Sequence, residues 1–447
     1  MQHAHRITRL SALALGITGA LALGQVHASG FQLKENSVKG LGSAFAGAGV
    51  KTGDTAVVVN NPATMTQFEG TAAQFDVTMI DLNYEFQGSG SDVLGRPLSG
   101  GDGGNAGDFT PIPAFSLVHK FDNGTAIGAM VSAPFGLATK YDNDWVGRYY
   151  AVESDVKIVE LALSGAVDII PDRLSVGLGL TFSKADVTLS KGVDFGTALM
   201  GAGVPGFLPQ GADGFAEVQG DDTGMGWIAG VNFRPTDKLS IGLNHRSEVK
   251  YDLSGKVDWT VPAPARATFD AVGRGAFFVD GDASAKLTTP GMTTVDVNYQ
   301  FTDRFSMAAT YSETKWESLR EVRINFAGPD PDSVEPFEWS ETRFASIGGE
   351  YKFSDAWTFR AGYAYDETPT TFAHRTPRLP DEDRQWYSVG ATWNFSPNLE
   401  FSLAYTRLEP DTPKIGIITA PQAGGQRLFG EFDGGADLYG ISAQYKF

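Results

Sequence analysis

Tyr439-Gly440-Ile441-Ser442-Ala443-Gln444-Tyr445-Lys446-Phe447 is the stretch that decides the fold class. Tyr439, Ile441, Ala443, Tyr445 and Phe447 fall on one parity, and Gly440, Ser442, Gln444 and Lys446 on the other. A repeat of two is that of a β-strand, whose successive side chains point to opposite faces. One face is apolar with aromatic ends; the other is small or polar. A soluble sandwich would turn the apolar face inward, whereas a membrane barrel would turn it to lipid.

The same alternation runs back along the chain to Thr71, in stretches of about ten residues or more. Short turns separate some of these stretches, at 121–124, 171–173, 233–237, 301–304, 353–356 and 395–398. Each is built from the Asp, Asn, Pro and Gly chemistry of tight hairpins. Long connections separate the others, at 87–110, 137–155, 192–222, 261–289, 328–338, 367–383 and 409–436. Short turns on one rim and long loops on the other describe an outer-membrane barrel and not a sandwich or a propeller. The spacing predicts an all-β transmembrane antiparallel barrel of about 14 strands, an even number. The terminal Phe447 resembles the C-terminal signature of bacterial outer-membrane proteins.

Composition narrows the function. The chain of 447 residues has no Cys, a net charge of −18, 54 Gly and 30 Phe. Disulfides are excluded, and an acidic chain lacks the basic face that nucleic acid requires. Residues 1–28 read as a cleavable export signal: Arg6 and Arg9 precede an apolar run over 10–23, and Val26-His27-Ala28 supply small residues for cleavage. That run is shorter than the roughly 20 apolar residues of a spanning helix, and no comparable run follows. Residues 29–70 are rich in Gly and Ala without strand-like alternation, and are expected to sit inside the barrel (71–447) as a hatch. Within them Asn61-Pro62-Ala63 predicts a short helix, with Asn as N-cap and Pro at its first position.

The parities also predict an interior. In the strand from Arg173, Val176, Leu178, Leu180 and Phe182 take the lipid side. Further on that side turns polar, while Val187 and Leu189 make the inner side apolar, followed by the cation Lys191. This switch predicts a barrel that projects beyond the membrane around an apolar pocket. Straight alternation from Lys238 puts Arg246, Glu248, Lys250 and Asp252 inward, and a later strand adds Arg360 and Asp366. Catalytic patterns are thin. Outside the leader only His119, His245 and His374 occur, none in an HExxH or Gly-x-Ser-x-Gly context. The glycine-rich run 99–105 reads as a flexible loop and not a calcium site. No metal, no cofactor and no enzymatic activity are expected.

With these motifs in hand, the whole mature chain resembles the long-chain fatty acid transporter family of the outer membrane (FadL-type). The similarity rests on Gly30-Phe31-Gln32-Leu33, Gly40-Leu41-Gly42, Asn61-Pro62-Ala63, Phe135-Gly136-Leu137-Ala138-Thr139, Arg246 to Lys250, Trp357 to Arg360 and Pro380 to Arg384, in that order. It implies that Asn61, Pro62 and Ala63 are the hatch motif. It also implies that Phe31, Lys191 and Arg323 line the ligand site, the two cations meeting a carboxylate, beside the Val187 and Leu189 that alternation turns inward. Arg323 conflicts with the alternation from Phe305, which turns it outward unless a bulge occurs near Ser318. Pro134-Phe135-Gly136 falls at the family's kink in the third strand. Proline donates no ladder bond and glycine weakens a strand interior, so this run suits a lateral opening.

The resemblance thus implies passive uptake of long-chain fatty acids or similar hydrophobic small molecules by a monomer that delivers them into outer-membrane lipid. Two alternatives stay open: uptake of uncharged monoaromatic hydrocarbons, and an adhesin or structural barrel acting through its loops. In the loop after Lys191, Leu199-Met200 and Gly206 to Pro209 supply apolar pieces for a surface capture groove.

Overall fold

The structure, a computed structural model, describes residues 30–420 and 424–447; the leader lies outside the described residues. Long alternating runs place the chain in one antiparallel sheet. It begins with β1 (Thr71–Ser91), β2 (Phe109–Lys120), β3 (Thr125–Lys140), β4 (Glu153–Ile170), β5 (Leu174–Asp194) and β6 (Asp213–Thr236). Four interrupted wall strands follow. β7 (Leu239–Arg246) resumes as β8 (Val249–Thr260), and β9 (Gly281–Thr289) as β10 (Met292–Thr302). β11 (Phe305–Thr314) resumes as β12 (Glu321–Phe326), and β13 (Ser333–Pro336) precedes β14 (Thr342–Lys352). The wall ends with β15 (Trp357–Asp366), β16 (Arg384–Asn394), β17 (Leu399–Pro410) with its short extension β18 (Lys414–Ile418), and β19 (Arg427–Lys446). β1 pairs with β2 on one side and with β19 on the other, from Ala72↔Lys446 to Ser91↔Arg427. The sheet therefore closes on itself as a 14-strand barrel.

The outer face is apolar because it faces lipid. Leu178 is 69% exposed, and Leu180, Ile347, Leu403 and Ile441 stand out in the same belt. Aromatic residues rim it: Trp357 stacks on Trp393 near the short turns, and Tyr363–Tyr387 and Tyr405–Tyr439 lie toward the loops. Several strands run well into the stretches that read as loops; β5 and β6 stay paired out to Asp194↔Asp213.

One predicted parity is corrected. A break at Ser247-Glu248 separates β7 from β8, and it reverses which residues point inward. Ser247 is held there by its N–H to the Trp227 carbonyl and by its hydroxyl, which accepts the Trp227 N–H. Arg246 points inward and pairs with Glu160, but Lys250 and Asp252 are exposed. Val249, Tyr251 and Leu253 are buried in their stead.

Residues 30–68 pack against inward side chains around the wall. Thr406 donates to the Leu41 carbonyl, Thr310 to Phe45, Ser164 to Val58 and Ser175 to Ala63. Lys39 is bonded to Glu400 and Gln444. Asn61 caps the 3-10 helix Pro62–Gln67 by accepting the Ala63 N–H at 3.2 Å, and it donates to the Val231 carbonyl at 3.0 Å. The wall comes close to this turn only because it is glycine there. A Cβ on Gly230 would overlap the Asn61 side chain, and one on Gly177 would meet Pro62.

Candidate functional site

The third strand is irregular at Pro134-Phe135-Gly136. Its register against β4 shifts between Ser132 and Phe135, and its ladder with β2 ends at Phe115↔Val131. Beyond that point β2 stays with β1 and carries Pro111 and Pro113, which have no N–H to give. A gap between β2 and β3 results. The N-terminal segment fills it as a stand-in strand: Leu33 N–H donates to the Pro134 carbonyl at 2.9 Å, and Gly136 N–H to the Phe31 carbonyl at 2.8 Å. Gln32 and Phe135 form the antiparallel bridge between them.

Phe31 turns from this ladder into the barrel. Its ring meets Trp316 at 5.0 Å, Phe135 at 5.8 Å and Trp339 at 5.9 Å between centroids. Gly30, at φ +63, lets the chain bend over Trp316, where a Cβ would come within 2.8 Å of the indole. The Gly30 N–H is held by Asp381 at 3.0 Å, on the connection after β15. Burial is the largest influence on that carboxyl and raises it above the usual Asp range, with Arg384 opposing.

Beside Phe31 lies an apolar cavity of about 60 Å³, lined by Leu137, Val187, Leu189, Leu253, Leu319 and Val322 among others. Phe31, Val187 and Leu189 are thus brought together. The enclosed space falls far short of the roughly 300 Å³ at the lower end of pockets for drug-sized ligands. Phe31, Trp316 and Trp339 occupy the remainder, so a long ligand enters only if they move.

The cations lie differently from the expectation. Arg323 sits on the outer face, 47% exposed in its side chain, paired with Glu321 and Asp332. The strand does break, at the 3-10 turn Trp316–Ser318, but the break preserves parity, so Val322 and Ile324 point inward and Arg323 does not. Lys191 lines not the inner cavity but a wider cleft of about 710 Å³ between the loops, with Tyr149, Asp194, Trp259, Phe278 and Ser333. An apolar cluster flanks that cleft, where Phe195 and Leu199 pack on Phe269 and Ala265 from the helices Phe195–Gly201 and Ala263–Ala271. The charged residues of the inner cavity are Arg378 and Glu335, neither of which stood out in the sequence. Arg378 comes from the connection after β15, which folds down into the barrel. Its side chain is 5% exposed and donates to the Glu153 carbonyl, Ser154 Oγ and the Ser190 carbonyl.

This architecture has relatives. Residues 19–447 match the family described as outer membrane protein transport protein (OMPP1/FadL/TodX). The chain belongs to that family.

As a member of the OMPP1/FadL/TodX family it is a transport protein of the bacterial outer membrane and not one of a family of enzymes. It is 27% identical over 453 residues to the long-chain fatty acid transport protein of Escherichia coli O6:H1, covering 97% of this chain and 98% of that one. A crystal structure of a Pseudomonas aeruginosa FadL homologue superposes with a TM-score of 0.88 at 28% identity, covering 93% of this chain and 99% of that one. The toluene transporter TodX of P. putida shares the fold, with a TM-score of 0.68 at 18% identity and coverage of 91% and 98%.

Proposed function

We propose that this family member takes up long-chain fatty acids, or amphipathic hydrocarbons like them, by passive movement through the barrel and sideways into the outer-membrane lipid. The observation that carries the reading is the position of Phe31. Its ring walls the apolar cavity while its own carbonyl and the Leu33 N–H hold the segment in the wall gap. Displacing it therefore enlarges the pocket and unseals the gap in one movement. Residues 29–70 act as the hatch, anchored below by Asn61-Pro62-Ala63, within a single barrel formed by 71–447 after 1–28 are removed. Capture occurs in the wide loop cleft beside Lys191. An acyl chain then passes from cleft to pocket to bilayer without crossing bulk water.

Uptake of labelled oleate by cells that lack their own transporter tests this directly. The protein is expected to restore uptake, and Val187→Trp, which fills the pocket, to abolish it while the folded barrel still reaches the membrane. Restored uptake that Val187→Trp leaves intact would sink the pocket route. A second reading, uptake of neutral monoaromatics, is favoured by the pocket lining, which is apolar apart from Ser154, Glu335 and Arg378. Uptake of toluene without oleate would establish it instead.

A further inference from the structure

Lys191, Glu335 and Arg378 form a line of charges that runs from the wall of the outer cleft to the wall of the inner pocket. Lys191 lines the outer cleft, whereas Glu335 and Arg378 line the inner pocket. One carboxylate oxygen, Glu335 Oε1, lies 3.7 Å from Lys191 Nζ and 3.6 Å from Arg378 Nε. Both separations exceed hydrogen-bond length, so Glu335 sits between two cations without bonding closely to either. The Arg378 Nη1 group is fully engaged by its three oxygens, but the buried Nε has no hydrogen-bond acceptor among the described residues. Leaving a buried charged donor without an acceptor is costly. With two cations facing one carboxylate, one positive charge of this trio is unmatched within it.

We propose that Glu335 is a resident carboxylate that holds the passage closed, and that an incoming ligand carboxylate opens it by taking the places of Glu335 at Lys191 and then at Arg378. The proposal rests on the pocket reading above and assigns Arg378 and Glu335 as residues that determine specificity. An anionic headgroup supplies the acceptor that Arg378 Nε lacks and makes the charge-assisted contacts that Glu335 makes only loosely. Glu335 has room to yield. It sits on β13, a strand of four residues held by one ladder to β12, opposite Val322. A neutral ligand of the same length cannot compete for either cation and meets a closed ion line. The device therefore selects monoanionic amphiphiles over neutral hydrocarbons, although the pocket beyond it is apolar.

Equilibrium binding of oleate and of oleyl alcohol to the purified, detergent-solubilised full barrel tests it, because the two probes differ only in headgroup. The wild type is expected to prefer oleate. Glu335→Gln removes the competitor and is expected to tighten oleate by about tenfold or more, with the alcohol affected far less. Arg378→Gln is expected to bring the oleate-to-alcohol ratio close to one, and Glu335→Gln added to it to produce no gain. Equal weakening of both ligands by Glu335→Gln would mean that Glu335 is only a structural tether, which overturns the proposal and leaves the pocket reading standing. An oleate-to-alcohol ratio unchanged by both single substitutions overturns it as well. Failure of the wild type to bind either ligand would overturn the pocket reading and this proposal together.

Discussion

Phe31 contributes twice, through its ring and through its backbone. Phe31→Ala removes the contacts with Trp316, Phe135 and Trp339 and keeps the two backbone bonds to β3. Large-to-small changes of a buried Phe cost about 3–5 kcal/mol, and here that cost falls on docking of the segment and not on the wall. Amide exchange over residues 30–36 is therefore expected to quicken by orders of magnitude in Phe31→Ala, while β15 to β17 keep their protection. Equal acceleration throughout the barrel would contradict this. At this scale the sequence was readable only where alternation held. Val187 and Leu189 could be placed because β5 is regular as far as Asp194. Leu253 could not, because a two-residue break reversed its parity, and nothing in Ser247-Glu248 marks such a break. Arg378 lies in a connection without a period, and Glu335 on a strand of four residues, too short for alternation to tell inward from outward.

At the scale of elements, the N-terminal segment inside the barrel is fitted by glycine in the wall and not by its own shape alone. The Pro62–Gln67 turn needs Gly230 and Gly177 opposite it, because a Cβ there occupies the space of Asn61 or Pro62. Gly230→Val is expected to unseat this turn, break the Asn61 bond to the Val231 carbonyl and let water through. Single-channel conductance in a planar bilayer is expected to be near zero for the wild type and measurable for the variant. A silent Gly230→Val barrel would mean that the N-terminal segment tolerates the side chain. The helix start at Asn61-Pro62 was legible from cap chemistry, which acts locally. The matching wall glycines lie more than 100 residues away and carry no local signature. The kinked third strand was legible in part: Pro134 and Gly136 signalled the break. The proline pair Pro111 and Pro113, which leaves β2 unable to follow, acts only through which of its two neighbours, β1 or β3, β2 stays paired with.

For the whole molecule, the closed barrel followed from alternation, turn lengths and an even strand count, because each is imposed by the bilayer and repeated along the whole chain. The proposed lateral route turns on one joint in that barrel, between residues 31–33 and β3. The chain has no cysteine, so a single engineered pair is free of competitors. Gln32 and Phe135 face each other in an antiparallel bridge, a geometry close to that of a disulfide. Oleate uptake by cells carrying Gln32→Cys/Phe135→Cys is the measurement to make. Uptake is expected to stop when the pair is oxidised and to return on reduction, with each single variant active throughout. Undiminished uptake with the disulfide formed would show that the ligand passes without moving this segment, and that the lateral route is wrong.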